Sequence, residues 1–385
     1  MEAIISPQIL KWAISRKDIS ETDLAQKVKV KPEKIVDWRN GLSYPTFNQA
    51  KQVAQKLSIP FGYLFMSEIP DERIPIPDLR RIDIKHTKPI SPDFLDVMND
   101  ALRKQYWYKE NLIKEGAGNL EFVGKFNINS NTQKVADDIA LIFGINENAR
   151  RNVTSWSDYL KNLVELVEER GIIVLRSGVV NGNTHRSLDV DEFRGFALCD
   201  PIVSFIFVNG KDSVAGRIFT LIHEIVHIFI GESGISNVKI DEIDIDQEQK
   251  IESFCDAVAS EVLVPEEEFN FQWNLSSSIL ENIYKLVRVF RVSSVVILRK
   301  ALDMEIISRD EFFESYYKEL AEQKTDRGRS GGDFFNNFIS RNSHTLTHAI
   351  INATFEGRLL FREASQLLNV KIKTLEKVAE KIYGV

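Results

Sequence analysis

The chain has 385 residues, 43% of them hydrophobic and 27% charged, with a net charge of −7; this predicts a globular protein of two or three domains and excludes a surface that coats nucleic acid throughout. Two cysteines, Cys199 and Cys255, are too few for a disulfide framework and suit a reducing compartment. Glu2, Lys11 and Arg16 argue against a secretory leader, and no run of 18 uncharged apolar residues offers a membrane span, so the expected setting is the cytoplasm, with no membrane partner.

Residues 6 to 65 predict four short helices. The first, "SPQILKWAIS", has Ser6 as N-cap, Pro7 at the first helical position and Ile9, Leu10, Ala13 and Ile14 on one face. Ser20 caps the second, with Asp23 three residues later. Pro32 starts a third that Gly41 stops, and Phe47, Ala50, Val53, Ala54 and Leu57 line a fourth. Pro70, Pro75, Pro77, Pro89 and Pro92 then forbid a helix and predict an extended linker.

Residues 92 to 170 read as largely helical. Three β-rich runs follow, "GIIVLRSG", "RGFALCD" and "IVSFIFVNG", the last two forming a hairpin across Asp200-Pro201. Next comes a helix carrying "FTLIHEIVHIFIG", then a second amphipathic helix, "EQKIESFCDAVASEVLVP", that ends at Pro265. Residues 276 to 385 read as mostly helical, with a hinge or exposed loop at "DRGRSGGD". The expected class is mostly α with a small β-sheet (α+β).

On a helix, His223 and His227 lie one turn apart and project from one face, where both imidazoles can reach one zinc ion at about 2.0–2.1 Å. Glu224 leans to the side of that face, placed to touch a metal-bound water without ligating the metal. Leu221, Ile222, Ile225, Val226 and Ile228 bury the remaining faces. A zinc enzyme needs a third protein ligand and an open fourth position. Glu252, 25 residues after His227, is the candidate, because its helix can pack back across the first. Asp256, one turn beyond, can accept a hydrogen bond from the far nitrogen of a ligating histidine. The bland alternative is a pair of satisfied core histidines. Against it stand the strongly helical context, the preceding hairpin and the placed downstream glutamate. Cys255 reads as a small buried residue, with a thiolate ligand as the alternative. His344 and His348 share the four-residue spacing without an intervening glutamate and read as coincidence, and His86 and His185 fall in linker or loop sequence.

At these residues the chain resembles the ImmA/IrrE-type metallopeptidases. "FRGFALCDPIVSFIFVNGKDSVAGRIFTLIHEIVHIFIGESG" followed by "IESFCDAVASEVLVP" is similar to that family's coupling of an H-E-x-x-H helix to a later E-x-x-A-x-x-F-A-x-x-L-L-x-P helix. Glu252, Ala259, Leu263 and Pro265 match the second pattern; Cys255 stands where alanine is usual and Val258 where phenylalanine is. The resemblance is most specific over residues 150 to 300. It implies a zincin-like core in which His223, His227 and Glu252 hold zinc, or manganese in its place, and Glu224 is the general base. It also implies a helix-turn-helix repressor or antitoxin as substrate or partner.

Residues 6 to 65 separately resemble an XRE-type helix-turn-helix, through Leu24-Ala25, Pro32, Ile35, Trp38, Gly41, Pro45 and Val53-Ala54. Lys29 replaces the usual turn glycine, Lys31 the usual serine cap and Arg39 the usual glutamate. Glu33, Val36 and Asp37 fall near the groove-facing side, where they suit phosphate poorly. Yet residues 1 to 70 hold 10 Lys/Arg against 7 Asp/Glu, and Lys27, Lys29, Lys31 and Lys34 cluster around the turn, placed to neutralise phosphates of operator DNA. The alternative use of this module is docking a partner's similar domain.

The expected organisation is therefore a helix-turn-helix domain at 1–68, a proline-rich linker and helical segment at 69–150, a zincin-like domain at 151–310 and a helical region at 311–385, with a homodimer compatible with it. Zincins commonly take peptide as an added strand, and the hairpin "RGFALCD"/"IVSFIFVNG" is expected to supply the free edge. Two functional classes remain open: a zinc endopeptidase acting on a helix-turn-helix partner, or a non-proteolytic regulator or toxin–antitoxin component with a structural or idle metal site. An open fourth metal position would favour the first, and four protein ligands the second.

Overall fold

The computed structural model describes residues 2–70, 90–236, 247–322 and 333–383. Most of the proline-rich linker and the "DRGRSGGD" hinge up to Gly332 lie outside these residues. The described chain holds eighteen α-helices and six short strands, so the mostly-α class with a small sheet is what the protein adopts. Among the described residues no helix is long and apolar enough to cross a membrane. The chain divides into two compact units, one built from the N-terminal helices and one from the remainder, with the division falling at Met98/Asn99.

The first unit carries α1 (Pro7–Arg16), α2 (Glu21–Val28), α3 (Pro32–Asn40), α4 (Phe47–Leu57) and a 3₁₀ turn, Phe61–Phe65. The helix boundaries follow the capping chemistry in the sequence. Ser6 accepts from Ile9 N, Ser20 accepts from Asp23 N, and Thr46 with Gln49 closes a reciprocal capping box. Pro32 opens α3, and Gly41 ends it at φ 72°. Leu10, Leu24, Ile35, Val53 and Leu57 meet in one core around Trp38.

The α5 helix (Pro92–Lys114) runs across the division, and the second unit continues with α6 (Thr132–Phe143), α7 (Glu147–Arg151) and α8 (Trp156–Glu168). The sheet region follows with β1 (Ile173–Ser177), β2 (Val179–Val180), β3 (Asn183–Ser187), β4 (Gly195–Leu198) and β5 (Phe205–Asn209). Then come α9 (Val214–Ile230), β6 (Gly234–Ser236), α10 (Gln247–Leu263), α11 (Glu266–Gln272), α12 (Ile279–Phe290), α13 (Ser294–Asp303) and α14 (Arg309–Glu322). Four helices close the unit: α15 (Phe334–Asn342), α16 (His344–Phe355), α17 (Phe361–Leu367) and α18 (Ile372–Tyr383).

The main sheet has the order β1-β5-β4-β6, with β1 parallel to β5 and the other pairs antiparallel. The β4–β5 hairpin is present, but the expectation that it supplies a free edge is overturned. β5 lies between β1 and β4, and β4 lies between β5 and β6; among the described strands the edges are β1 and β6. Every residue of β5 is buried, which is what an unbroken apolar run means when a strand is covered on both faces.

The α9 helix lies under this sheet and is buried almost all round. Ser213 caps its start, and Gly231 ends it at φ 74°. Its last carbonyls are taken by a preceding loop: Gly124 N donates to Ile228 O and Phe126 N to Phe229 O, both at 3.0 Å. Phe122 and Phe126 stack on Phe229. These contacts fix both ends of the helix that carries the histidines.

The turn between α2 and α3 carries a testable cost. Lys29 sits at φ 61°, in the left-handed region where a side chain costs about 1 kcal/mol and glycine costs nothing. Lys29→Gly should therefore stabilise the first unit by about 1 kcal/mol, slowing amide exchange in α1–α4 about fivefold. Unchanged or faster exchange would show that the turn bears no strain.

Candidate metal centre

The four ionisable residues expected from the sequence come together. His223, Glu224 and His227 on α9 have no exposed surface, and Glu252 on α10 is 2% exposed. The His223 Nε2 and His227 Nε2 atoms are 3.1 Å apart. Glu252 spans both: Oε2 is 3.4 Å from His223 Nε2, and Oε1 is 3.2 Å from His227 Nε2. Donors at about 2.0–2.1 Å from one tetrahedral ion stand about 3.3 Å apart, so this triangle has the dimensions that a zinc ion requires.

Local sequence explains the convergence. The four-residue spacing stacks the two imidazoles on one face of α9. That face is met by α10, which packs across α9 through Cys255, Val258, Ala259 and Val262 in the shared core. Asp256, one turn after Glu252, places Oδ1 2.9 Å from His223 Nδ1. A proton held on Nδ1 by that carboxylate leaves the Nε2 lone pair directed at the triangle.

Glu224 lies beside the triangle and against β4. A Cβ at Gly195 would stand 2.8 Å from Glu224 Oε1 and 2.5 Å from Thr220 Cγ2. Only glycine therefore lets β4 approach α9 this closely at the glutamate. Gly195 was not among the residues expected to matter, although a glycine inside a β-run is the signal that marks such an approach.

Both cysteines border the centre. The ligand atoms of His223, His227 and Cys255 all lie within 4.8 Å of one another, so the thiol groups with the two imidazoles. Cys199, at the end of β4, places Sγ 3.6 Å from His227 O. Burial raises both thiols, Cys255 well above its usual value and Cys199 to about 12. The remaining histidine pair is different: His344 is exposed, His348 is half-buried, and their rings are 4.4 Å apart. Neither belongs to a cluster of three donors among the described residues. A cavity of about 770 Å³ elsewhere in the unit, lined by Glu168, Arg176 and Ser340 among others, shares no residue with the centre.

In the first unit, Lys27, Lys29, Lys31 and Lys34 are all exposed around the α2–α3 turn. Arg39 instead pairs with Glu21.

Without a cation, protons bind the triangle. Burial alone would lower His223, but Glu252 and the Asp256 hydrogen bond carry it well above its usual value. Burial alone would raise Glu252, but the two histidines bring it down to about 2. The His223 contribution to stability is full below its unfolded pKa, about 6.5, and is lost as pH rises through the higher folded value. The Glu252 contribution is lost only as pH falls toward about 2. Chelator-treated protein should thus lose thermal stability as pH rises above about 6.5, and His223→Gln should remove that dependence. A flat or rising midpoint in the wild type, measured by calorimetry, would contradict this coupling.

Two family models match the chain. Residues 167–302, which contain every residue of the centre, match the model described as the IrrE N-terminal-like domain of the Peptidase_M78 family. Residues 342–381 match a domain of unknown function (DUF8813). No curated protein matches the chain. The peptidase-family match supports the ImmA/IrrE resemblance and makes residues 167–302 a metallopeptidase-like domain.

Proposed function

We propose that the protein is a zinc-dependent endopeptidase that acts on a helix-turn-helix repressor or antitoxin partner. The observation that carries this reading is the 3.1–3.4 Å triangle of His223, His227 and Glu252 donors with Glu224 beside it. Imidazole and carboxylate with a thiol nearby suit zinc better than manganese, which prefers oxygen donors. Bound zinc would supply the Lewis acidity that polarises a peptide carbonyl and makes water nucleophilic near neutral pH.

The chain's own groups do the rest. His223, His227 and Glu252 hold the ion, and Asp256 fixes the His223 ring. Glu224 takes the proton from the attacking water and delivers it to the leaving amine. Gly195 sets the position of β4 against that carboxylate, so the base is held between strand and ion. The exposed lysines of the first unit direct the enzyme to DNA or to the partner's similar domain. A second reading, a regulator with a closed metal site, is favoured by one observation, the Cys255 thiol inside the donor cluster.

Two experiments test this. In elemental analysis, His223→Ala should lose the single zinc, while Glu224→Gln should keep it. Co-expressed in turn with helix-turn-helix proteins from the same genome, the wild type should shorten at least one of them, as read by mass spectrometry. Glu224→Gln should cut it about 10²–10⁴-fold more slowly. Equal partner length with wild type and variant, under zinc supplementation and operon-inducing stress, would favour the regulator. For the first unit, alanine at Lys27, Lys31 and Lys34 together should flatten the salt dependence of DNA binding by about 2.7 in log–log slope, at about 0.9 per phosphate contact. An unchanged slope and affinity would favour protein docking.

A further inference from the structure

We infer that the Cys255 thiolate is a fourth protein ligand to the metal, so that the resting centre is closed by two histidines, one glutamate and one cysteine. This rests on the metal-centre reading above and adds a regulatory state to it. Cys255 follows Glu252 by three residues on α10 and therefore shares its face. It has no exposed surface, and its sulfur lies within 4.8 Å of ligand nitrogens on both His223 and His227. A sulfur about 2.3 Å from zinc stands about 3.5 Å from nitrogens at about 2.0–2.1 Å.

A buried cysteine is ordinarily a small hydrophobe, and placement separates this one from that role. With His223 and His227 it forms the one group of three such donors, close enough to hold an ion, found among the described residues. Zinc takes thiolate readily alongside imidazole and carboxylate, and sites with four protein donors leave no position for water. A centre closed by sulfur would have no position for the attacking water, so hydrolysis would require the Cys255 side chain to leave the ion, and a centre that stayed closed would be the regulator's structural site. Cys199 provides an internal comparison: it is the chain's other cysteine, its sulfur contacts the His227 carbonyl oxygen, and it is not one of the three grouped donors.

Zinc K-edge absorption on the purified full-length protein tests this directly. The wild type should show one sulfur scatterer at about 2.3 Å together with nitrogen and oxygen at about 2.0–2.2 Å. Cys255→Ser and Cys255→Ala should lose the sulfur shell and keep one zinc per chain, while Cys199→Ser should leave the spectrum unchanged. Wild-type zinc bound by nitrogen and oxygen alone would overturn the inference and leave the metal centre and the peptidase reading standing. So would a sulfur shell that persists in both Cys255 variants. A wild type that binds no zinc would overturn the inference and the centre together. A wild-type spectrum without sulfur overturns the inference however the variants fold.

Discussion

The structure depends on one requirement: ionisable groups buried in an apolar core must satisfy one another. His223, Glu224, His227 and Glu252 are removed from water, where an isolated charge would cost several kcal/mol. They meet because α10 crosses α9 at one place and in one register. If α10 slid by a single residue, Glu252 would leave the triangle and Asp256 would leave His223. The tight ends of α9, capped by Ser213 and closed by Gly124 and Phe126, keep that crossing fixed. The apolar residues around the centre therefore set its geometry and lower its dielectric together.

That geometry leads to chemistry by short steps. Two imidazoles and a carboxylate at 3.1–3.4 Å have the dimensions of a divalent-ion site, the Asp256 carboxylate meets the far nitrogen of one imidazole, and Gly195 lets β4 approach Glu224. An acid–base residue beside an ion is the arrangement for adding water to a carbonyl. The thiol of Cys255 extends the same cluster.

Much of this was legible in the sequence because it is local. The His223–His227 spacing, the Ser6, Ser20 and Pro32 helix starts and the Gly41 stop each depend on residues within one helical turn. Glu252 and Asp256 were legible through helix periodicity and the return of a second helix. What was missed depends on distant partners. The pairing of β1 with β5, and of β6 with β4, is set by segments far apart in sequence, so the hairpin was taken for an edge. The run "FIFVN" already carried the opposite signal, since a strand with one wet face would alternate. The β2–β3 hairpin is too short and polar to announce itself. Gly195 was overlooked because its role belongs to Glu224, almost thirty residues later.

Anomalous diffraction at the zinc edge, from crystals grown with the metal, tests the central claim most directly. The account predicts one peak per chain, within about 2.0–2.2 Å of His223 Nε2, His227 Nε2 and a Glu252 carboxylate oxygen. Density for zinc at any other residues, or none between α9 and α10, would contradict it.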